Sequence, residues 1–146
     1  MPSRDDIVAE ARKWVGTPFR IYGRALGKGC DCLGLVVGVA HGLGISDADF
    51  LAYGPDPAGI PDIETMLGAH LDRIEENEAG AGDVLFLNWN RSPRHFAILT
   101  PRNVDSRPFN MIHAYEPEDR VVEHVYDKKW NLRFVSAWRF RDAEPA

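Results

Sequence analysis

Gly29-Cys30-Asp31-Cys32-Leu33-Gly34-Leu35-Val36 is the stretch on which the reading of this chain turns. A small, polar, cysteine-bearing segment runs directly into apolar residues at helical spacing. This predicts a helix from about Cys32 to His41, with Cys32 in its first turn. The N-terminus of a helix carries unpaired N–H groups and a partial positive charge. Both favour a thiolate, so a cysteine at that place is expected to be acidified and nucleophilic. Gly34, Gly38 and Gly42 recur along one side of the helix. Each glycine costs about 1 kcal/mol relative to alanine, so the stripe predicts another element packed very close to it.

Upstream, Ser3-Arg4-Asp5-Asp6 reads as an N-cap with an acidic residue three positions on. Ile7, Val8, Ala11, Trp14 and Val15 follow with helical spacing, until Gly16 and Pro18 stop the helix. Thr17 to Lys28 reads as a loop rich in glycine and basic residues. Downstream, Asp47 to Pro61 is an irregular, proline-rich connection, and Ile63, Met66, Leu67, Leu71 and Ile74 mark a third amphipathic helix. Glu75 to Glu78 reads as its solvated exit. From Gly82 the period changes. Strands are expected at Val84 to Leu87, His95 to Leu99, Met111 to Tyr115, Val121 to Tyr126 and Leu132 to Phe140, separated by turn residues. Helices first and an antiparallel sheet second make an α+β domain.

Composition sets the bounds. A chain of 146 residues, 45% hydrophobic and 27% charged, suits one globular domain, so residues 1–146 are expected to form a single unit. The net charge of -5 argues against a nucleic-acid partner held by a general positive field. No segment approaches the ~20 apolar residues of a membrane span, so no membrane partner is expected. The polar start, Met1 to Asp6, has no apolar h-region. It predicts cytoplasmic synthesis without a secretory signal or lipid anchor. Cys30 and Cys32 lie one residue apart, too close for an unstrained disulfide.

Amide hydrolysis by cysteine needs an ionised sulfur, a base to carry its proton, and donors for the oxyanion. Cys32 answers the first need, and its backbone N–H is a natural oxyanion donor. His95 opens an apolar strand near the expected sheet edge, and His113 lies in the next strand. Neighbouring antiparallel strands can bring them together, one as base and the other fixing its tautomer. Asp31 can cap the helix, and as a neighbouring negative charge it also opposes thiolate formation.

Each residue also has a plainer reading. A lone cysteine on an apolar helix is ordinarily core, and Cys30 is taken as packing. A strand histidine is ordinarily a hydrogen-bonded structural residue. Zinc binding by Cys30, Cys32, His95 and His113 competes, although Cys-x-Cys departs from the usual zinc spacing. His41, His70 and His124 read as surface or packing residues, and Trp14, Trp89, Trp130 and Trp138 as core or rim.

Five blocks together resemble the NlpC-type cysteine peptidases of bacterial cell walls. They are Ala11 to Phe19, Gly29 to Val36, Gly82 to Phe86, His95 to Ile98 and Ile112 to Ala114. The blocks stand in the family's order and span about Ile7 to Tyr115. The resemblance implies a papain-like α+β fold, N-terminal helices packed on a C-terminal antiparallel sheet. It implies Cys32 as nucleophile, His95 as general base and acid, and His113 as the residue orienting His95. The implied substrate is the peptidoglycan stem peptide, cut at the amide from γ-D-glutamate to a diamino acid. No metal and no cofactor are implied.

The variant Gly-Cys-Asp-Cys-Leu-Gly-Leu-Val looks most like the phage-tail and gene-transfer-agent branch. It implies tail proteins as partners and incorporation in a phage-like particle. Two other readings stay open: an amidase of the same fold acting on another acyl bond, and a catalytically inactive structural tail component. Phe19 stands where many members of the family carry a site-lining tyrosine; either Tyr22 supplies that hydroxyl from a shifted place or the role is absent here. Arg20, with Arg24 and Lys28, can meet the carboxylates of a stem peptide. Phe19, Arg20, Tyr22 and Asp31 are therefore the candidate substrate-binding residues.

Overall fold

The Ser3 cap forms as the sequence anticipates. The Ser3 hydroxyl accepts from the Asp6 N–H at 3.1 Å, and the Asp6 carboxylate accepts from the Ser3 N–H at 2.8 Å. This capping box starts helix α1 (Arg4–Lys13). The structure is a computed structural model that describes residues 2–46, 63–90, 92–102 and 108–141. The connection expected over Asp47 to Pro61 lies outside the described residues.

Helix α2 (Cys32–Gly42) is capped by Asp31, whose carboxylate accepts from the Gly34 N–H at 2.7 Å. Every residue from Cys32 to Ala40 is buried, so α2 is the central helix of the fold and not an amphipathic surface helix. Its glycine stripe is a contact surface, as expected. A Cβ on Gly34 would run into the Gly23 carbonyl, one on Gly38 into the Trp14 indole, and one on Gly42 into the Glu10 carboxylate. The closely packed partners are thus α1 and the loop that precedes α2.

That loop contains a minimal hairpin, β1 (Arg24–Ala25) with β2 (Gly29–Cys30). Helix α3 (Ile63–His70) follows, then β3 (Leu71–Ile74), β4 (Val84–Trp89), β5 (Ser92–Thr100), β6 (Asn110–Tyr115) and β7 (Arg120–Val125). A short α4 (Lys128–Asn131) and β8 (Phe134–Phe140) complete the chain. The main sheet has six strands in the order β3-β8-β4-β5-β6-β7, and every pairing is antiparallel. Helices lie on one face over a cluster that includes Ile7, Trp14, Leu35, Phe96, Ile98 and Ile112. The other face carries a second cluster of Leu85, Leu87, Ala97, Leu99 and Met111, with Trp130 and Phe134 packed against it. This is the expected α+β arrangement. No helix among the described residues is long and apolar enough to cross a membrane.

Two elements differ from the sequence reading. The helix expected from Ile63 to Ile74 ends at His70, and Leu71–Ile74 is an edge strand paired with β8. Leu71 and Ile74 are three apart, which suits one helical face. In a strand the same spacing sends them to opposite faces, and Leu71 joins the helix-side cluster while Ile74 packs on the other. The strand expected from Leu132 begins only at Phe134, because α4 turns the chain first and leaves Leu132 78% exposed.

Buried Asp83 joins α1 to the sheet. Its carboxylate takes the Arg4 guanidinium at 3.0 Å, Arg139 at 2.9 Å and the Gly80 N–H at 2.9 Å. A buried carboxylate with this many donors is satisfied where an unpaired one would be costly. The close packing at Gly38 carries its own consequence. Gly38→Ala is expected to destabilise the fold by about 1–3 kcal/mol through overpacking against Trp14, read as a lower denaturation midpoint in urea.

Candidate active site

The site forms where the sheet comes apart. In β5 the Leu99 backbone bonds toward β4: its N–H donates to the Asp83 carbonyl at 2.9 Å, and its carbonyl accepts from the Gly82 N–H at 2.8 Å. Backbone groups alternate sides along a strand, so Arg94, Phe96 and Ile98 turn theirs toward β6. Pairing of β5 with β6 runs from Thr100↔Asn110 to Ile98↔Ile112, where it ends. The groups of Arg94 and Phe96 therefore face a breach, and the first turn of α2 fills it. The Cys32 thiol donates to the Arg94 carbonyl at 3.6 Å, and the N–H groups of Phe96, Leu33 and Cys32 itself face the sulfur.

The histidines come from the other side. Alternation sets His95 on the face of Ala97 and Leu99, and His113 on the face of Met111; these three apolar residues belong to the cluster away from α2. His95 Nε2 lies 2.7 Å from His113 Nδ1. His113 Nε2 lies 2.8 Å from His124 Nε2, and His124 Nδ1 lies 3.0 Å from the Val125 carbonyl. Trp130 on α4 covers this row, with ring centroids 4.9 Å from His113 and 5.5 Å from His124. Trp89 stacks on Trp130 at 6.1 Å, and the Arg133 guanidinium sits 5.1 Å from both indoles. Cys32 and His95 meet at a cleft of about 120 Å³, lined also by Phe19, Asp31, Arg94, Tyr115 and Glu116. His95 Nε2 is committed to His113, which leaves Nδ1 for the cleft.

Burial sets the charge state of the pair. It pushes the Cys32 thiol up to about 12, with the Asp31 charge adding to the rise, while the three backbone N–H groups pull down. It also holds His95 down to about 3, helped by the Arg133 and Arg94 charges. His113 is held well below its ordinary range by burial and by the two flanking histidines. The helix terminus thus does favour the thiolate, as expected from sequence, but desolvation outweighs it. Burial thus weighs toward an uncharged thiol and an uncharged imidazole at rest.

The arrangement has counterparts among solved structures. The NlpC/p60 domain of the peptidoglycan hydrolase SagA is similar with a TM-score of 0.62 and 27% identity, over 94% of this chain and 99% of that one. A protein described as similar to lipoprotein, of the NLP/P60 family, from Staphylococcus aureus subsp. aureus Mu50, gives a TM-score of 0.62. It is 23% identical, over 94% of this chain and 41% of that one. The fold is that of NlpC/p60 domains. The SagA likeness supports the NlpC family, and the second shows the fold. No family model matches the sequence, and neither does any curated protein.

Within this NlpC/p60 fold, Cys32, His95 and His113 are brought together. His95 does not stand at a sheet edge as expected. Its strand is interior, and what exposes it to the cleft is the departure of β6. Phe19 and Asp31 line the cleft. Asp31 is also structural: beyond capping α2, it accepts from the Tyr22 N–H at 2.8 Å and pairs with Arg24 at 3.0 Å. Tyr22 has a left-handed backbone, φ 65°, and is tied to the site through that N–H, while its ring lies outside the cleft lining. Arg20 also lies outside the lining, and its side chain packs over Gly29. Cys30 is buried in the core, as expected. No cluster of metal-ligating side chains occurs among the described residues.

Sequence reasoning missed His124 and the part played by Trp130. His113 pairs with Val122, so His124 is the diagonal neighbour on the same face. The signal was its even offset from Val122, which is legible only once the β6–β7 register is known.

Two measurements check the charge assignment. The wild-type protein is expected to show no thiolate absorbance near neutral pH, and alkylation of Cys32 by iodoacetamide should accelerate as pH rises toward 12. The folded site also refuses protons that an unfolded chain accepts below a histidine's ordinary 6.5, since His95 is held to about 3. Stability should therefore fall as pH drops from 6.5 toward 3. The slope is about 1.4 kcal/mol per pH unit for each such histidine. His95→Phe should flatten that slope in denaturant titrations.

Proposed function

We propose that this protein is a cysteine endopeptidase that hydrolyses an amide bond of the peptidoglycan stem peptide. The observation that carries the proposal is the convergence of Cys32 and His95 on one cleft, with His95 held by His113 at 2.7 Å. The likeness to NlpC/p60 domains, one of them from a peptidoglycan hydrolase, supports the substrate class. His95 Nδ1 takes the Cys32 proton as the sulfur attacks the amide carbonyl. The Cys32 N–H helps hold the oxyanion, and His95 then protonates the leaving amine. Water hydrolyses the thioester with His95 again as base.

The finer reading follows the resemblance of Gly29 to Val36 to the phage-tail branch. In it the scissile bond joins γ-D-glutamate to a diamino acid, and the protein is made in the cytoplasm and carried to the wall in a phage-like particle. Phe19 and Asp31 contact the stem peptide from the cleft wall. Arg20 and Tyr22 contribute only if the peptide extends past the cleft toward the loop before α2.

One observation favours a second reading, a structural tail component that has kept the fold without the activity. Cys32 is only 7% exposed, and its thiol is held neutral. The cleft that reaches Cys32 and the ordered histidine row weigh against it. Digestion of purified muropeptides, read by mass spectrometry, separates the two. Wild-type protein is expected to release peptides cut at the γ-D-glutamyl bond, and Cys32→Ala to release none while keeping its circular dichroism spectrum. Undiminished cleavage by Cys32→Ala would overturn the nucleophile, and an inert wild type would leave the structural reading.

A further inference from the structure

We infer that His124 is a positioning residue that sets which nitrogen of His95 carries the proton. The inference rests on the reading of His95 as the base for Cys32. It begins at a group whose role has no ambiguity. The Val125 carbonyl can only accept, and it lies 3.0 Å from His124 Nδ1, so that nitrogen carries the hydrogen. In neutral His124 the other nitrogen, Nε2, is then an acceptor. It lies 2.8 Å from His113 Nε2, which must therefore donate. Neutral His113 is left with a bare Nδ1, and this accepts from His95 Nε2 at 2.7 Å. His95 Nδ1 ends the row with a free lone pair, as a general base requires.

With all three rings neutral, the reverse order fails at the far end. It would leave His124 Nδ1 bare, with its lone pair facing the carbonyl oxygen 3.0 Å away. His124 itself is half-buried, and burial enforces the order along the inner part of the row. His113 is fully buried and His95 is 6% exposed, so water does not substitute for a wrongly placed hydrogen. His113 is thus necessary but not sufficient. With Nε2 unpartnered it has two neutral tautomers, one of which would reverse the bond to His95. The Trp130 indole, 4.9 Å from His113 and 5.5 Å from His124, holds the rings in register for the row.

Ring-nitrogen chemical shifts from NMR of nitrogen-labelled protein, at about pH 8 where histidines are neutral, read the tautomers directly and need no substrate. Wild type is expected to show His95 and His113 protonated at Nε2 and His124 at Nδ1. His124→Phe keeps a ring against Trp130 but removes both hydrogen bonds. It should mix the His113 and His95 tautomers and lower kcat on muropeptides about 10- to 100-fold, part of what a positioned base contributes, with KM unchanged. His124→Gln, whose carbonyl can accept from His113, should restore most of both. Wild-type His95 protonated at Nδ1 would overturn the inference. So would a His124→Phe protein with wild-type tautomers and kcat, or a Gln variant as impaired as the Phe variant. An inactive wild type with the expected tautomers would count against the proposed hydrolysis and leave this assignment of hydrogens standing.

Discussion

The separation of β6 from β5 beyond Ile98 and Ile112 is the constraint on which the site depends. In a continuous sheet the Arg94 carbonyl and Phe96 N–H would be spent on a neighbouring strand. Released from that ladder, they receive the first turn of α2, and the Cys32 sulfur takes the place of a strand. The same gap connects the two faces of the sheet. A thiol that belongs to the helix layer and histidines that belong to the opposite layer can meet only there.

Holding α2 at the breach requires anchors that do not slide. Asp31 supplies one from the N-terminal end, through the Gly34 and Tyr22 N–H groups and the Arg24 guanidinium. The glycine stripe supplies the other by letting α1 and the preceding loop approach to van der Waals contact. Asp31 therefore has two opposed effects on the chemistry. Its charge raises the Cys32 thiol, while its hydrogen bonds place that thiol where a base can reach it. Placement is the larger gain, since a proton can be moved during reaction but a misplaced sulfur cannot.

Burial gives the site its character. Burial disfavours charge on the Cys32 thiol, His95 and His113, so these groups are linked as donors and acceptors of hydrogen bonds more than as ions. In such a chain the position of each hydrogen depends on the next partner, and the last partner is a backbone carbonyl that cannot change its role. The aromatic cover of Trp89 and Trp130, with Arg133 against both, helps keep His95 and His113 dry and keeps positive charge beside His95.

Much of this was legible in the chain. The capping box at Ser3, the helix from Cys32, the close packing at Gly34, Gly38 and Gly42, and the strand set from Val84 onward all follow from local chemistry. Side-chain spacing, caps and the lack of a Cβ act over a few residues and need no distant partner. Cys32, His95 and His113 could be nominated for the same reason, by residue type and element. What local sequence could not decide is everything set by register and burial. Whether Leu71 and Ile74 share a helical face or split across a strand depends on β8. Whether His124 is surface or site depends on the β6–β7 register, which sets it opposite Met111 and diagonal to His113. Whether Cys32 is acidified depends on how much water the packed layers exclude, and in the fold desolvation exceeds the pull of the helix terminus. These are sums over contacts between residues far apart in the chain, and only the tertiary structure brings the terms together.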